Sequence, residues 1–129
     1  TLMLWKSYLR HDRRSTQLSA VETAINQLRA WREAGAGVLF GTDLGAVDCD
    51  PTDEYLMMVQ AGMSFRDILA SLTTEPSKRF SDPARFGKIG PGYEADLTVL
   101  RGDPSAEVTA LTDVRYTFRA GRVIYSEKF

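Results

Sequence analysis

A short apolar run between glycines, Gly37-Val38-Leu39-Phe40-Gly41, is the feature that most constrains how this chain of 129 residues folds. Helical sequence patterns flank it on both sides, and Thr42 and Asp43 follow it directly. Continuous apolar runs of this length are typical of parallel strands, because helices cover both faces of a parallel sheet. We therefore predict an α/β fold with a buried strand over about 37–42.

The helix before this strand is indicated by apolar residues that recur at three- and four-residue steps. Ser19 and Glu22 have the spacing of a capping box, in which each side chain satisfies a free backbone N–H of the first turn. Gly35 stands where a residue in the left-handed conformation would end the helix. The pattern predicts a helix over about 19–34.

Further helical segments are predicted after the strand. Asp50 can cap a helix whose first residue is Pro51, because proline lacks an N–H group and is tolerated at that position. This helix is expected over about 51–61. A second capping box begins at Ser64 and opens a helical region over about 65–80. The last part of this region is predicted as a separate short helix that starts near Thr74 and Pro76.

The sequence changes character in its second half. Gly90-Pro91-Gly92 marks a turn, and residues 95–100 have the composition of a strand. Residues 114–126 alternate between apolar and polar side chains around a tight reversal at Ala120-Gly121. This pattern predicts a β-hairpin that belongs to a separate β layer.

Composition and charge exclude several classes of function. The 16 basic and 17 acidic residues give a net charge of −1, so the chain has no overall attraction to nucleic acid or to an anionic membrane. Cys49 is the single cysteine, which excludes an internal disulfide framework. No apolar stretch approaches the roughly 20 residues that cross a bilayer, and no signal-peptide pattern is found. A cytoplasmic location is the default expectation.

Asp43 is the residue whose position most suggests chemistry. A carboxylate just past the C-terminal end of a buried parallel strand lies where α/β folds place their active sites. The flanking Gly41 and Gly45 let the backbone approach other groups closely. An alternative is that Asp43 only caps the loop that follows it, and the spacing alone leaves both interpretations open.

A series of motifs, in order along nearly the whole chain, resembles the C-terminal portion of the amidohydrolase superfamily. The likeness rests on Ala34 to Asp43, Glu54, Ala61-Gly62-Met63-Ser64, Ile68 to Leu72, Leu72-Thr73-Thr74-Glu75-Pro76, Gly87-Lys88-Ile89, Pro91 to Leu97, Gly102-Asp103-Pro104 and Val114 to Tyr125. The chain looks most like the branch that contains imidazolonepropionases and the dipeptidases that cleave Xaa-Pro or Xaa-Arg/Lys peptides.

This resemblance implies a fold and an activity. Residues 1–86 would be the end of a (β/α)8 TIM-like barrel, its last helix-strand-helix units, and residues 87–129 the C-terminal strands of a small composite β-sandwich. The implied activity is the hydrolysis of amide, cyclic amide or dipeptide C–N bonds by a metal-activated water. The implied cofactor is zinc, as one or two divalent ions in the full enzyme.

The resemblance also assigns roles to individual residues. In the family, the aspartate that matches Asp43 binds the metal and takes the proton of the attacking water. The acidic loop that follows lies over the pocket, so Asp48 and Asp50 are candidates for substrate binding, with helix capping as their other role. Asp96 matches a structural aspartate of the sandwich. No residue is implied for an organic cofactor.

One departure from the family pattern is decisive for activity. The family's metal site also uses several histidines, whereas His11 is the only histidine here. A catalytic zinc site needs about three protein ligands, so we expect this chain to be inactive, and to bind no metal, by itself. It would be a fragment of a hydrolase, one chain of a split hydrolase, or a non-catalytic interaction or structural module.

The expected partners follow from the same interpretation. The full enzyme would take a small-molecule amide or dipeptide, without nucleic acid or membrane. Terminal barrel and sandwich strands normally pair on both sides, and open strand edges seek partners. We therefore expect a homo-oligomer or self-association through these edges.

Overall fold

The computed structural model describes residues 1–4, 16–43, 50–80 and 82–127, with side chains in the second range from residue 20 onward. Residues 2–4 are helical. The longer helices are α1 (Thr16–Glu33), α2 (Thr52–Gln60), α3 (Phe65–Leu72) and α4 (Thr74–Phe80). They are followed by β1 (Leu97–Leu100), a 3-10 helix (Val108–Thr112), β2 (Val114–Arg119) and β3 (Arg122–Ser126). The chain is thus a mixed helix-and-sheet protein.

The first long helix ends as predicted but begins earlier. Gly35 has a φ of 75°, and its N–H donates to the carbonyl of Arg32 at 2.9 Å, which closes the last turn of α1. Its first residue is Thr16, so the predicted start at Ser19 is wrong. The Ser-x-x-Glu pattern identifies a start only when the residues before it are not helical, and serine is only mildly unfavourable inside a helix.

The capping box of α3 is confirmed. The Ser64 hydroxyl accepts the N–H of Asp67 at 3.2 Å, and a carboxylate oxygen of Asp67 accepts the N–H of Ser64 at 2.9 Å. These bonds satisfy donors that a helix leaves free in its first turn. The short helix predicted from near Thr74 is confirmed as α4 (Thr74–Phe80), which is divided from α3 at Thr73, whose backbone conformation lies outside the helical range.

The predicted strand at 37–42 is not found as a strand. These residues carry neither strand nor helix, and the N–H of Phe40 donates to the carbonyl of Ser71, in α3, at 3.1 Å. A strand is completed by a hydrogen-bonded neighbour. The sheet found within the described ranges has the order β1-β2-β3 and does not reach this segment.

The predicted hairpin is confirmed as part of an antiparallel sheet. β2 lies in the centre, with Leu97 of β1 opposite Phe118 and Tyr116 opposite Ser126 of β3. The turn residues Ala120 and Gly121 have φ values of 47° and 76°. Positive φ at both central positions is what a two-residue type I′ hairpin turn requires.

The hairpin turn is tied back to the residues that precede β1. A carboxylate oxygen of Asp96 accepts the N–H of Ala120 at 2.7 Å, and the carbonyl of Ala95 accepts the N–H of Gly121 at 3.0 Å. The expectation that Asp96 is structural is therefore confirmed.

The apolar core lies among the helices. Its buried members come from residues 2–3, α1, α2, Ala61, Met63 and α3, with Val108 and Leu111 of the 3-10 helix packed against them. None of the helices in the described ranges combines the length and apolar character that crossing a membrane requires.

Candidate metal and catalytic site

Asp43 lies at the end of the segment that connects α1 to the acidic loop. Its side chain is exposed, and its backbone has a φ of 56°. Aspartate is one of the few residues other than glycine that adopt this left-handed conformation without large cost. The backbone of Asp43 therefore departs from the extended conformation of a strand.

The segment before Asp43 is anchored at Phe40. The Phe40 ring stacks on that of Tyr55, with centroids 4.8 Å apart and planes inclined by 19°, and the Phe40 N–H is bonded to Ser71 as described above. Val38 and Phe40 also pack against the helical core. Tyr55 itself is buried in α2, and burial raises the pKa of its phenol. The position of Asp43 thus depends on contacts with α2 and α3.

Asp50 lies at the other end of the acidic loop, at the start of α2. One of its carboxylate oxygens accepts the N–H of Thr52 at 2.9 Å and the Thr52 hydroxyl at 2.5 Å. These two hydrogen bonds lower the pKa of Asp50. Asp50 therefore satisfies a first-turn N–H of α2, although the helix begins one residue later than predicted, after Pro51.

Other sequence-predicted candidates fall outside the described residues. These are Asp48, Cys49 and His11. Within the described ranges, no group of three or more histidine, cysteine, aspartate or glutamate side chains could hold a metal ion. The carboxylate of Asp43 suits a divalent metal as one ligand, but these ranges do not form a complete site around it.

Glu54 is a buried polar residue, and the sequence analysis did not predict its role. Its side chain is buried (5% exposed) and accepts three hydrogen bonds: from the Thr1 hydroxyl at 2.9 Å, the Leu2 N–H at 3.0 Å and the Met3 N–H at 2.7 Å. The signal was available in the sequence, because Glu54 falls on the same helix face as Met57 and Met58. An acid on an apolar stripe indicates a buried partner.

A groove of about 310 Å³ lies beside Glu54. Its walls come from residues 1–2, from α1 and from the segment before Asp43, with Trp31, Gln27 and Leu39 among them. Asp43 does not line it, so the groove is separate from the candidate metal site.

Comparison with protein-family models decides the family. A model described as the amidohydrolase family matches residues 13–125, which include Asp43, α1 to α4, β1, β2 and all but the last residue of β3. The chain belongs to the amidohydrolase family. The family predicted from the sequence motifs is confirmed, and amidohydrolases are generally metal-dependent.

Solved structures show which folds this amidohydrolase chain is similar to. A Xaa-Pro dipeptidase with bound methionine matches with a TM-score of 0.81 and 23% identity, over 98% of this chain and 33% of that one. A prolidase complexed with N-methylphosphonate-L-proline matches with a TM-score of 0.78 and 21% identity, over 98% and 34%. The ochratoxinase of A. niger matches with a TM-score of 0.78 and 18% identity, over 98% and 31%.

These structural matches concern the fold alone, because the identities are low. The amidohydrolase chain spans about a third of the length of the structures it matches. A search of curated proteins gives no match.

Proposed function

We propose that this chain is part of a metal-dependent amidohydrolase that hydrolyses C–N bonds in amides, cyclic amides or dipeptides. The observation that carries the proposal is the family match over residues 13–125, which includes Asp43 with its exposed carboxylate and left-handed backbone. Hydrolase activity as such follows from the family. The Xaa-Pro dipeptidase and prolidase among the similar structures favour dipeptides.

The proposed architecture is the one that the family resemblance implies, a barrel end followed by part of a β-sandwich. Residues 1–86 form the last helix-strand-helix units of a TIM-like barrel, and residues 87–129 form strands of a small β-sandwich. The similar structures support this, since each covers nearly all of the chain with about a third of its own length. Residues 37–42 would then become a strand when barrel strands pair with them on both sides.

In this proposal Asp43 would be a metal ligand and the general base. A divalent ion such as zinc would supply the acidification of the attacking water. The Asp43 carboxylate would accept a proton from the attacking water and pass it to the leaving amine. The remaining ligands come from outside the described ranges, either from other parts of the polypeptide or from a second chain.

Asp50, with Asp48, is proposed to bind a basic or amine group of the substrate. Hydrogen bonds from Thr52 lower the pKa of Asp50, so the exposed carboxylate stays ionised well below neutral pH. A fixed negative charge in this loop would attract the free amino group of a dipeptide.

The test is a comparison of two aspartate variants in the complete protein supplied with zinc. Asp43→Asn keeps the size of the side chain but removes its basicity, so kcat/KM for Xaa-Pro dipeptides should fall about 100-fold or more. Asp113→Asn is the matched control, because Asp113 is exposed and directly precedes β2. Equal activity and equal zinc content in both variants would contradict the proposal.

A non-catalytic module and a split hydrolase remain the alternative hypotheses. The absence of a ligand cluster within residues 1–4, 16–43, 50–80 and 82–127 is the observation that favours them. Tight zinc binding by the complete protein together with hydrolysis would exclude the first. Loss of both on separation from a second chain would identify the second.

Self-association through strand edges also stays a prediction. β3 is an outer strand of the sheet, and its side chains are exposed along its whole length. An oligomer that dissociates when Ile124 is replaced by lysine would support it, and a monomer at all concentrations would contradict it.

A further inference from the structure

Glu54 fixes the first turn of α2 against the start of the chain. Its buried carboxylate accepts bonds from two backbone N–H groups, those of Leu2 and Met3, and from the Thr1 hydroxyl. Residues 2–4 are helical, and the N–H groups of Leu2 and Met3 are among those that a helix leaves free in its first turn. The first turn of α2 therefore has little freedom to shift.

Tyr55 connects the first turn of α2 to the segment that ends in Asp43. It is the residue next to Glu54, it is buried, and its ring stacks on that of Phe40. Aromatic contacts of this kind contribute about 0.5–1.5 kcal/mol beyond the area they bury. Within the described ranges, this stack is the ring contact between α2 and the segment 36–43.

Two residues, Gly41 and Thr42, separate Phe40 from Asp43. Consecutive Cα atoms lie about 3.8 Å apart, so a shift of Phe40 has few bonds over which to be absorbed before it reaches Asp43. The segment has no ladder hydrogen bonds in this structure, and its backbone contact at Phe40 is the bond to Ser71. The Tyr55 ring is thus the side chain best placed to set where Asp43 lies.

We infer that Tyr55, held in place by Glu54, is a positioning residue for Asp43. The inference rests on the proposed function, since it takes Asp43 to be the metal ligand. A displacement of a ligand by about 1 Å is enough to lower catalysis by about 100-fold, and residues that orient metal ligands typically contribute 10- to 100-fold to metal affinity or activity.

The test uses three variants in the complete protein. Tyr55→Leu removes the stack and should weaken zinc binding about 10-fold and lower kcat more than it changes KM. Tyr55→Phe keeps the ring and should restore both. Phe118→Leu makes a comparable aromatic-to-leucine change in the sheet and should leave zinc affinity unchanged. In the metal-free protein, hydrogen exchange at residues 40–43 should speed up in Tyr55→Leu alone.

A double-mutant cycle keeps the test valid if Tyr55→Leu proves unstable. Phe40→Leu removes the same stack from the other side, so it should weaken zinc binding by a similar factor, and the double variant should lose little more. Fully additive losses would overturn the inference.

Asp43→Asn separates the two claims. If Asp43→Asn abolishes zinc binding while Tyr55→Leu changes neither zinc affinity nor hydrogen exchange at 40–43, the positioning role is wrong and the proposed function stands. If Asp43→Asn leaves zinc binding and activity intact, the proposed function is wrong, and the positioning role falls with it.

Discussion

The helical region and the sheet region of this chain are stabilised in different ways. The helices bury a contiguous apolar core, although Trp31 and Phe80 stay exposed. The sheet is held by strand pairing with register shifts, no residue of its three strands is fully buried, and Val123, Ile124 and Tyr125 of β3 are exposed. A helix satisfies its backbone internally and needs only one apolar stripe covered, but a sheet has two faces and two edges. The sheet therefore depends more on what surrounds it than the helices do.

A matched pair of isoleucine substitutions tests this comparison most severely. Ile68 of α3 is 0% exposed, whereas Ile124 of β3 is 63% exposed. Ile68→Ala should lower the free energy of unfolding by about 2–5 kcal/mol, because it removes buried methyl groups and leaves a cavity. Ile124→Ala should change it by less than about 0.5 kcal/mol. Urea unfolding measures both, and equal losses would mean that the sheet is covered in solution.

Replacing Asp96, whose carboxylate accepts a hydrogen bond from the hairpin turn, should lower stability by less, and only in the sheet. Asp96→Ala removes the acceptor for the Ala120 N–H and should reduce stability by about 1 kcal/mol. Hydrogen exchange should speed up in β2 and β3 but not in α1 to α3. Asp96→Asn keeps an acceptor oxygen and serves as the control. Uniform faster exchange across both regions would show that they unfold as one unit.

The smallest effect concerns the exposed cap of α3 and depends on pH. Hydrogen bonds from Ser64 lower the pKa of Asp67 below its usual value in the unfolded chain, which is 3.8. The stabilisation from Asp67 is therefore present above the unfolded pKa and is lost as the pH falls through the folded pKa. The stability difference between the native chain and Asp67→Asn should shrink on acidification. A difference that is constant with pH would contradict this assignment.

The sequence predicted those features that depend on neighbouring residues. The capping box at Ser64, the end of α1 at Gly35 and the hairpin turn at Ala120-Gly121 each need only a few adjacent positions, and all three are confirmed. The start of α1 was misplaced because a cap pattern is equally compatible with a helix interior.

The features that were missed depend on distant contacts. An apolar run such as 37–42 indicates a strand only if partner strands are available, and spacing does not supply them. The partners of Glu54 lie more than 50 positions earlier in the chain. The candidate site was located at Asp43 by resemblance, while its contacts with Phe40 and Tyr55 required coordinates. Its metal and substrate roles stay predictions.

The hairpin tip has a practical consequence for labelling experiments. A surface turn is ordinarily the first choice for inserting an epitope or a fluorescent probe. Here the backbone of Ala120-Gly121 is bonded to Ala95 and Asp96, so an insertion would detach the tip from the residues leading into β1. The hairpin tip is therefore a poor place for a tag in this chain.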